Sequence, residues 1–310
     1  MKIKSTLESY AKKNSIITIG TFDGVHIGHQ KIIKRLVDIA KRKGLQAVVL
    51  TFFPHPRMVL QKDAKIKLIN TIDEKSKLLE SFGINHLVIK EFTKDFSRLT
   101  ALEFVRDVLV NKLNIKHIIL GYDHHFGRNR TANIDDLREF GEVYDFDITE
   151  ISAQDINEVT VSSTKIRIAL EVGNIEMANA YLGYNYMLTG TIVKGKSLGK
   201  QIDFPTANIN IEEDYKLIPK NGSYIVKSYI NSNVVFGMMN IGTNPTVNGE
   251  YQSIEVHFFD FDRDIYNEII EVQLLERLRD EQKFDSIDEL KAQLHKDKDI
   301  SLDYIKLYHV

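Results

Sequence analysis

The chain has 310 residues, of which 43% are hydrophobic and 27% charged, with a net charge of -2 and no cysteine. Its length exceeds one ordinary core and suits two domains. The missing cysteines exclude disulfides, Cys-ligated zinc and thiol catalysis, and the near-neutral balance offers no field for nucleic acid or an anionic membrane. The opening stretch MKIKSTLESYAKKN lacks the apolar centre of a signal peptide, and no apolar run reaches spanning length, so a cytoplasmic protein is expected.

In chain order, residues 1–182 alternate short apolar runs with helical patterns. Strands are predicted at Ile16–Gly20, Ala47–Thr51, His86–Ile89, His117–Gly121 and Asp147–Ile151, and helices at Lys31–Lys43, Asp73–Phe82, Ala101–Leu113 and Asp135–Phe140. Such alternation predicts a Rossmann-like parallel sheet covered by helices, with ligands beyond the carboxyl ends of its strands. From residue 186 the rhythm changes to short β-rich runs: Met187–Lys194, Ser223–Ile230, Val234–Ile241, Ser253–Phe259 and Ile269–Leu275. Turn residues separate them, which predicts an antiparallel barrel or sandwich. A closing amphipathic helix is expected over Ser286–Leu294 with Ser286 as N-cap. The expected domains are 1–183 and 184–310.

Four segments carry candidate chemistry in the first half. In Gly20–His29 (GTFDGVHIGH) an apolar strand runs through a glycine-punctuated turn into a helix start. Free N–H groups and the positive dipole end there favour phosphate, and His26 and His29, three residues apart, reach one anion. Imidazole N–H groups stabilise charge growing on phosphorus during displacement. Two such histidines alone are as readily structural or metal-binding; the strand, Gly20, Gly24, Gly28 and Asp23 together favour a phosphate site. Thr51–Arg57 (TFFPHPR) reads as a rigid loop. Gly121–Arg130 (GYDHHFGRNR) offers a carboxylate, an aromatic and basic groups, or is a polar surface loop. Val161–Leu170 (VSSTKIRIAL) places hydroxyls at a helix start before Lys165 and Arg167, either a phosphate clamp or a plain N-cap.

In the second half, Gly190–Asn208 (GTIVKGKSLGKQIDFPTAN) combines Gly195 and other glycines with Lys194, Lys196 and Lys200, and ends in a hydroxyl and an amide oxygen, the donors Mg²⁺ accepts. Glu255 alternates with Ile254 and Val256, so spacing alone makes it a solvent-facing strand residue.

The first-half motifs resemble the HxGH nucleotidyltransferases. In their combination and order they resemble the FMN adenylyltransferase module of prokaryotic bifunctional riboflavin kinase/FAD synthetases, and the second half resembles the riboflavin kinase module. The resemblance covers nearly the whole chain. It implies that His26 and His29 hold ATP phosphates and stabilise the transition state, within a nucleotide cradle of Gly20, Phe22, Asp23, Gly24 and Gly28. It points to Asp123 at the nucleotide and flavin site, and to Ser163, Thr164 and Arg167 on phosphates. In the kinase half it implies Gly195 and Lys200 at the nucleotide, Thr206 and Asn208 on Mg-ATP, and Glu255 as general base on the ribityl hydroxyl. The implied substrates are ATP, riboflavin and FMN, with Mg²⁺, and neither nucleic acid nor membrane as partner. The chain departs from the pattern at Asp203, where the family usually has glycine, at Leu198 for arginine, at Lys194 for histidine and at His124 for phenylalanine. Asp203 would set a carboxylate among phosphates, a repulsion on the order of 1–4 kcal/mol. Three alternatives therefore stay open: a monofunctional FMN adenylyltransferase with an impaired kinase half, another HxGH transferase, and a flavin-binding regulator without catalysis.

Overall fold

The computed structural model describes residues 3–61, 66–121, 125–128, 131–151, 161–195, 199, 202–246 and 249–308. Two compact units divide between Ser163 and Thr164. The first is built on a six-stranded parallel sheet in the order β1-β4-β3-β2-β5-β6, with β1 Lys4–Thr6, β2 Ser15–Ile19, β3 Gln46–Phe53, β4 His86–Glu91, β5 Ile115–Gly121 and β6 Asp147–Ile151. Every residue of β2 is buried, as a central strand covered on both faces requires. Its alternate side chains feed two cores. Ile17 and Ile19 join Val48, Leu50 and Ile118 on one face, and Ile16 joins Ala47, Val49 and Ile119 on the other.

The second face is covered by α1 (Ile27–Lys43) and α3 (Ile72–Ser81), whose buried residues include Ile33, Leu36 and Leu79. The first face is covered by the segment after α4 (Ala101–Glu103) and by α5 (Ile134–Tyr144). The helix expected over Ala101–Leu113 is regular only through Glu103; Phe104–Val110 is a π-helix, with Asn111 N–H bonded to the Arg106 carbonyl and Leu113 N–H to that of Val108. Phe104, Val105, Val108 and Leu109 of this segment are all buried in the core. Thr51–Arg57 is not simply a loop: β3 runs through Phe53, and α2 (Pro56–Leu60) follows with His55 capping the Arg57 N–H. Successive strands run outward from β2 through β3 to β4, then resume at β5 on the other side of β2. The order thus reverses between β2 and β5, which is where an open parallel sheet binds ligands.

The second unit is a closed barrel, β10-β11-β8-β7-β12-β9, of strands β7 Met187–Val193, β8 Ala207–Asn210, β9 Gly222–Ile230, β10 Asn233–Thr246, β11 Gly249–Phe258 and β12 Ile269–Arg279. All its pairings are antiparallel. Preceding helices α6 (Ser163–Val172) and α7 (Ile175–Leu182) are tied to it: Asn179 Nδ2 donates to the Leu274 carbonyl, and Lys220 N–H to that of Leu170. The closing helix α8 (Ile287–Tyr308) is capped by Ser286, whose Oγ accepts from Glu289 N–H at 3.2 Å, but it runs well beyond the expected Leu294. Leu290, Leu294, Leu302 and Ile305 pack on Phe204, Met238 and Leu275.

One buried ion pair fastens α8. Arg279 at the end of β12 gives two guanidinium bonds to Asp297 Oδ2, at 3.0 and 2.8 Å, and Asp297 is 2% exposed. Removing one member strands the other charge. Asp297→Ala is expected to cost the second unit about 3–5 kcal/mol in chemical denaturation; a change below about 0.5 kcal/mol would show that the pair does not hold the helix.

Candidate active sites

At the end of β2 the chain passes Gly20 and enters a tight loop in which Phe22 and Val25 take left-handed φ values of 45° and 37°. Both side chains are buried. The loop ends on His26, the N-cap of α1, whose Nδ1 accepts from His29 N–H at 3.4 Å. The neutral ring therefore carries its proton on Nε2. The two imidazoles stack, with centroids 3.7 Å apart and planes 20° from parallel, and the Phe22 ring lies 5.0 Å from that of His29. Gly28 permits this: a Cβ there would stand 3.2 Å from two atoms of the His26 ring. His29 Nδ1 is buried without a hydrogen-bond partner among the described residues.

Burial dominates the electrostatics. It lowers the His26 pKa to about 4, against an upward pull from Asp23, and holds His29 well below the usual imidazole range, helped by repulsion from His26 and Lys75. Both rings are neutral at pH 7 and present N–H dipoles rather than charges. A base whose folded pKa is depressed stabilises the fold fully above its unfolded value and loses that stability as pH falls toward its folded value. For His26 the window runs from about 6.5 down to about 4, a loss of about 3 kcal/mol. His26→Asn keeps an N-cap and removes the titration, so its stability should fall less steeply across that window; an unchanged slope in denaturation curves would refute this source.

Asp23 turns inward: it is 1% exposed, and its Oδ1 accepts from Ile69 N–H at 3.0 Å. Ser163 Oγ donates to the Asp23 carbonyl at 2.8 Å, so the SST segment and the histidine loop meet. Gly20 and Gly24 lie in the same loop, Gly24 at φ 86°. Thr164 and Arg167 follow on α6, Thr164 exposed and Arg167 partly buried. Asp123 and His124 lie outside the described residues. Lys75 of α3, which belongs to none of the sequence motifs, is 2% exposed and donates from Nζ to the Thr21 carbonyl at 2.8 Å. Its signal was available: Lys75, Leu78, Leu79 and Phe82 share one helical face, so the lysine stands on the apolar side.

In the barrel, Glu255 of β11 and Asn208 of β8 are cross-strand partners. Thr206, two residues before Asn208, donates its hydroxyl to Glu255 Oε2 at 3.1 Å. Two cavities, of about 320 and 300 Å³, share Thr206 as a wall. The first also contains Glu255, Asn240 and Arg279 and lies against Leu290 and Leu294 of α8. The second is bounded by Pro205, Ala207, Arg263 and Tyr266. Glu255 is thus turned toward a cavity, opposite to what simple alternation suggests. His257, two residues on, donates from Nδ1 to the Pro205 carbonyl at 2.9 Å and steadies the same turn, which the sequence reading also missed.

Gly195 lies so close to Asn208 that a Cβ would stand 2.1 Å from its Nδ2. Gly195→Ala is expected to displace Asn208 and cost the barrel about 1–3 kcal/mol in chemical denaturation; unchanged stability would show that Asn208 gives way freely. Asp203 occupies φ 63°, a left-handed position that glycine fills without strain and aspartate tolerates. Its carboxylate is paired with Lys291 Nζ of α8 at 2.6 Å, which holds its pKa low and neutralises the charge. A cation thus stands beside the carboxylate that the resemblance sets among phosphates. Lys194 is exposed; Lys196, Leu198 and Lys200 lie outside the described residues.

Among the described residues no group of three or more His, Cys, Asp or Glu side chains forms a metal site. The donors present suit Mg²⁺ all the same, because that ion keeps several waters and takes only one or two protein oxygens beside phosphate. Glu255 and Thr206 offer adjacent oxygens, and Asn208 stands across the ladder.

A phosphate-suited helix start in a parallel α/β unit, followed by a barrel with a Thr–Glu pair on a cavity wall, fits a two-module transferase. The family model described as FAD synthetase matches residues 8–165, and that described as riboflavin kinase matches residues 182–305. A bifunctional riboflavin kinase/FMN adenylyltransferase from Listeria monocytogenes is 39% identical over 94% of this chain and 93% of its own length. The Bacillus subtilis protein of the same description is 36% identical over 94% of this chain and 92% of its own. The chain belongs to the bifunctional riboflavin kinase/FMN adenylyltransferase family. A crystal structure from Streptococcus pneumoniae, described as a macrolide-efflux protein, is 31% identical with a TM-score of 0.86, covering 96% of this chain and 98% of that one. Among the described residues of the present chain, no helix is long and apolar enough to cross a membrane.

Proposed function

We propose that this chain carries out two consecutive ATP-dependent steps of FAD formation. The barrel transfers the γ-phosphoryl group of ATP to the ribityl hydroxyl of riboflavin, giving FMN and ADP. The α/β unit then transfers AMP from a second ATP to the FMN phosphate, giving FAD and pyrophosphate. The observation that carries the two-step reading over a single adenylylation is the Thr206–Glu255 contact at the shared wall of two cavities. Glu255 takes the proton of the attacking hydroxyl, and Thr206 holds the phosphate side of the same point. In the first unit the neutral His26 and His29 donate N–H groups to the phosphates at the start of α1 and stabilise charge developing at the α-phosphorus.

The functional division is placed at 183/184, and the cytoplasm, where ATP and riboflavin are available, is the proposed compartment. The loop residues Gly20, Phe22, Asp23, Gly24 and Gly28 shape the nucleotide cradle, with phosphate contacts from Ser163, Thr164 and Arg167 and a further contact from Asp123. Gly195 and Lys200 serve the nucleotide of the kinase step. Mg²⁺, held through Thr206 and Asn208 in the barrel, neutralises triphosphate charge when bound. Chelation by EDTA should stop both steps, with recovery on adding Mg²⁺. The adenylylation is tested by supplying FMN and Mg-ATP without riboflavin: one pyrophosphate should appear per FAD. Pyrophosphate release indifferent to FMN, but dependent on another mononucleotide or on a pantetheine substrate, would point to a different HxGH transferase.

A further inference from the structure

Lys75 is a charged residue buried inside the first unit beside the histidine pair. It is carried by α3, whose start is fixed by a reciprocal cap: Thr71 N–H donates to Glu74 Oε2 at 2.9 Å, and Glu74 N–H to Thr71 Oγ1 at 3.1 Å. This helix and the segment leading into it are each bonded to the histidine loop. Lys75 Nζ holds the Thr21 carbonyl at 2.8 Å, and Ile69 N–H holds the Asp23 carboxylate at 3.0 Å. Between these two anchors stands Phe22, in a left-handed conformation at φ 45°. Such backbone persists where surrounding contacts over-determine it. The Phe22 ring is in turn packed on His29, with centroids 5.0 Å apart. His29 needs this wall, because its buried Nδ1 has no hydrogen-bond partner among the described residues to fix the ring.

We propose that Lys75 is a positioning residue for adenylyl transfer: by holding the Thr21 carbonyl it fixes Phe22 and, through the Phe22 ring, the orientation of His29. The role assigned to His29 rests on the adenylyltransferase reading above. The charge of Lys75 acts in the same direction. Its repulsion adds to burial and to His26 in keeping the His29 ring unprotonated, so that N–H dipoles and not a second cation face the phosphates. The ionisable groups around this point are Asp23 on the loop, His26 and His29 on α1, and Glu74 on α3, the last engaged in the helix cap. Burial lowers the lysine's own pKa while Asp23 pulls it upward.

The test is Lys75→Met in the full chain, which keeps the apolar stem and removes both the bond and the charge. Its kcat for FAD formation from FMN should fall at least about tenfold, with KM for ATP and FMN within about threefold of the parent. Riboflavin phosphorylation should match the parent. In the ligand-free protein the His29 titration followed by NMR should move upward, because the repulsion from Lys75 is gone. A kcat within about twofold of the parent, a loss confined to KM, or an unmoved His29 titration would each overturn the proposal. Should Lys75→Met fail to fold, Phe22→Leu decides, since it keeps Lys75 and removes the ring that meets His29: a kcat loss of the same order supports the proposal, and full kcat sinks it. A parent chain that made no FAD would refute the activity itself, and the His29 titration, which needs no substrate, would still decide the question of Lys75.

Discussion

His29→Ala is expected to lower FAD formation from FMN by about 100- to 1,000-fold, the range seen when one preorganised donor to a developing anion is removed. The physical reason lies in how the ring is presented. It stacks on His26 at the first turn of α1, is backed by Phe22, and is kept neutral by burial, so its N–H dipole is fixed before the nucleotide arrives. The loss should fall mainly on kcat, because the charge that the ring meets develops during displacement. Riboflavin phosphorylation, which uses the barrel, should be retained. A variant that kept full FAD synthesis would remove His29 from the reaction, and one that lost both activities would point to a general folding role.

Glu255→Gln should produce the opposite split. An amide of nearly the same shape still meets the Thr206 hydroxyl but cannot take a proton, so FMN formation should fall by about 100- to 10,000-fold, the usual worth of a positioned base. FAD formation from supplied FMN should continue. Retained phosphorylation would leave Thr206 and Asn208 as binding groups only and would require the proton to leave by another route.

Much of the first unit is readable from sequence because its strands are central and parallel. Buried on both faces, they appear as short apolar runs such as Ala47–Leu50. The histidine site is readable because it is contiguous: strand, loop and helix start fall within ten residues. What escapes is whatever arrives from elsewhere in the chain or follows another period. β1 is three polar-leaning residues and has no pattern to detect. The π-winding of Phe104–Val110 also escapes, because Phe104, Val105, Val108 and Leu109 fall on one face under a 3.6-residue period too, so the pattern reads as an ordinary helix. Lys75 stands on the apolar face of its own helix and reaches Thr21 only through folding. FPTAN hides a strand, β8, because its chemistry reads as loop.

The barrel also shows how local rules mislead. Alternation assigns Glu255 to solvent, yet both sides of a barrel strand can face something other than water, and this one faces a cavity with Thr206 beside it. Asp203 is unfavourable when considered alone among phosphates. Its left-handed backbone explains why glycine serves at that place, and Lys291, 88 residues on, pairs with its carboxylate.

The central claim is that one chain performs both steps in order. It is tested most directly by giving the purified protein riboflavin and Mg-ATP alone and following the flavins over time. FMN should appear first and be converted into FAD, with ADP and pyrophosphate accumulating alongside. Riboflavin left unchanged, in a preparation that still makes FAD from supplied FMN, would contradict the claim and leave an adenylyltransferase with a silent barrel.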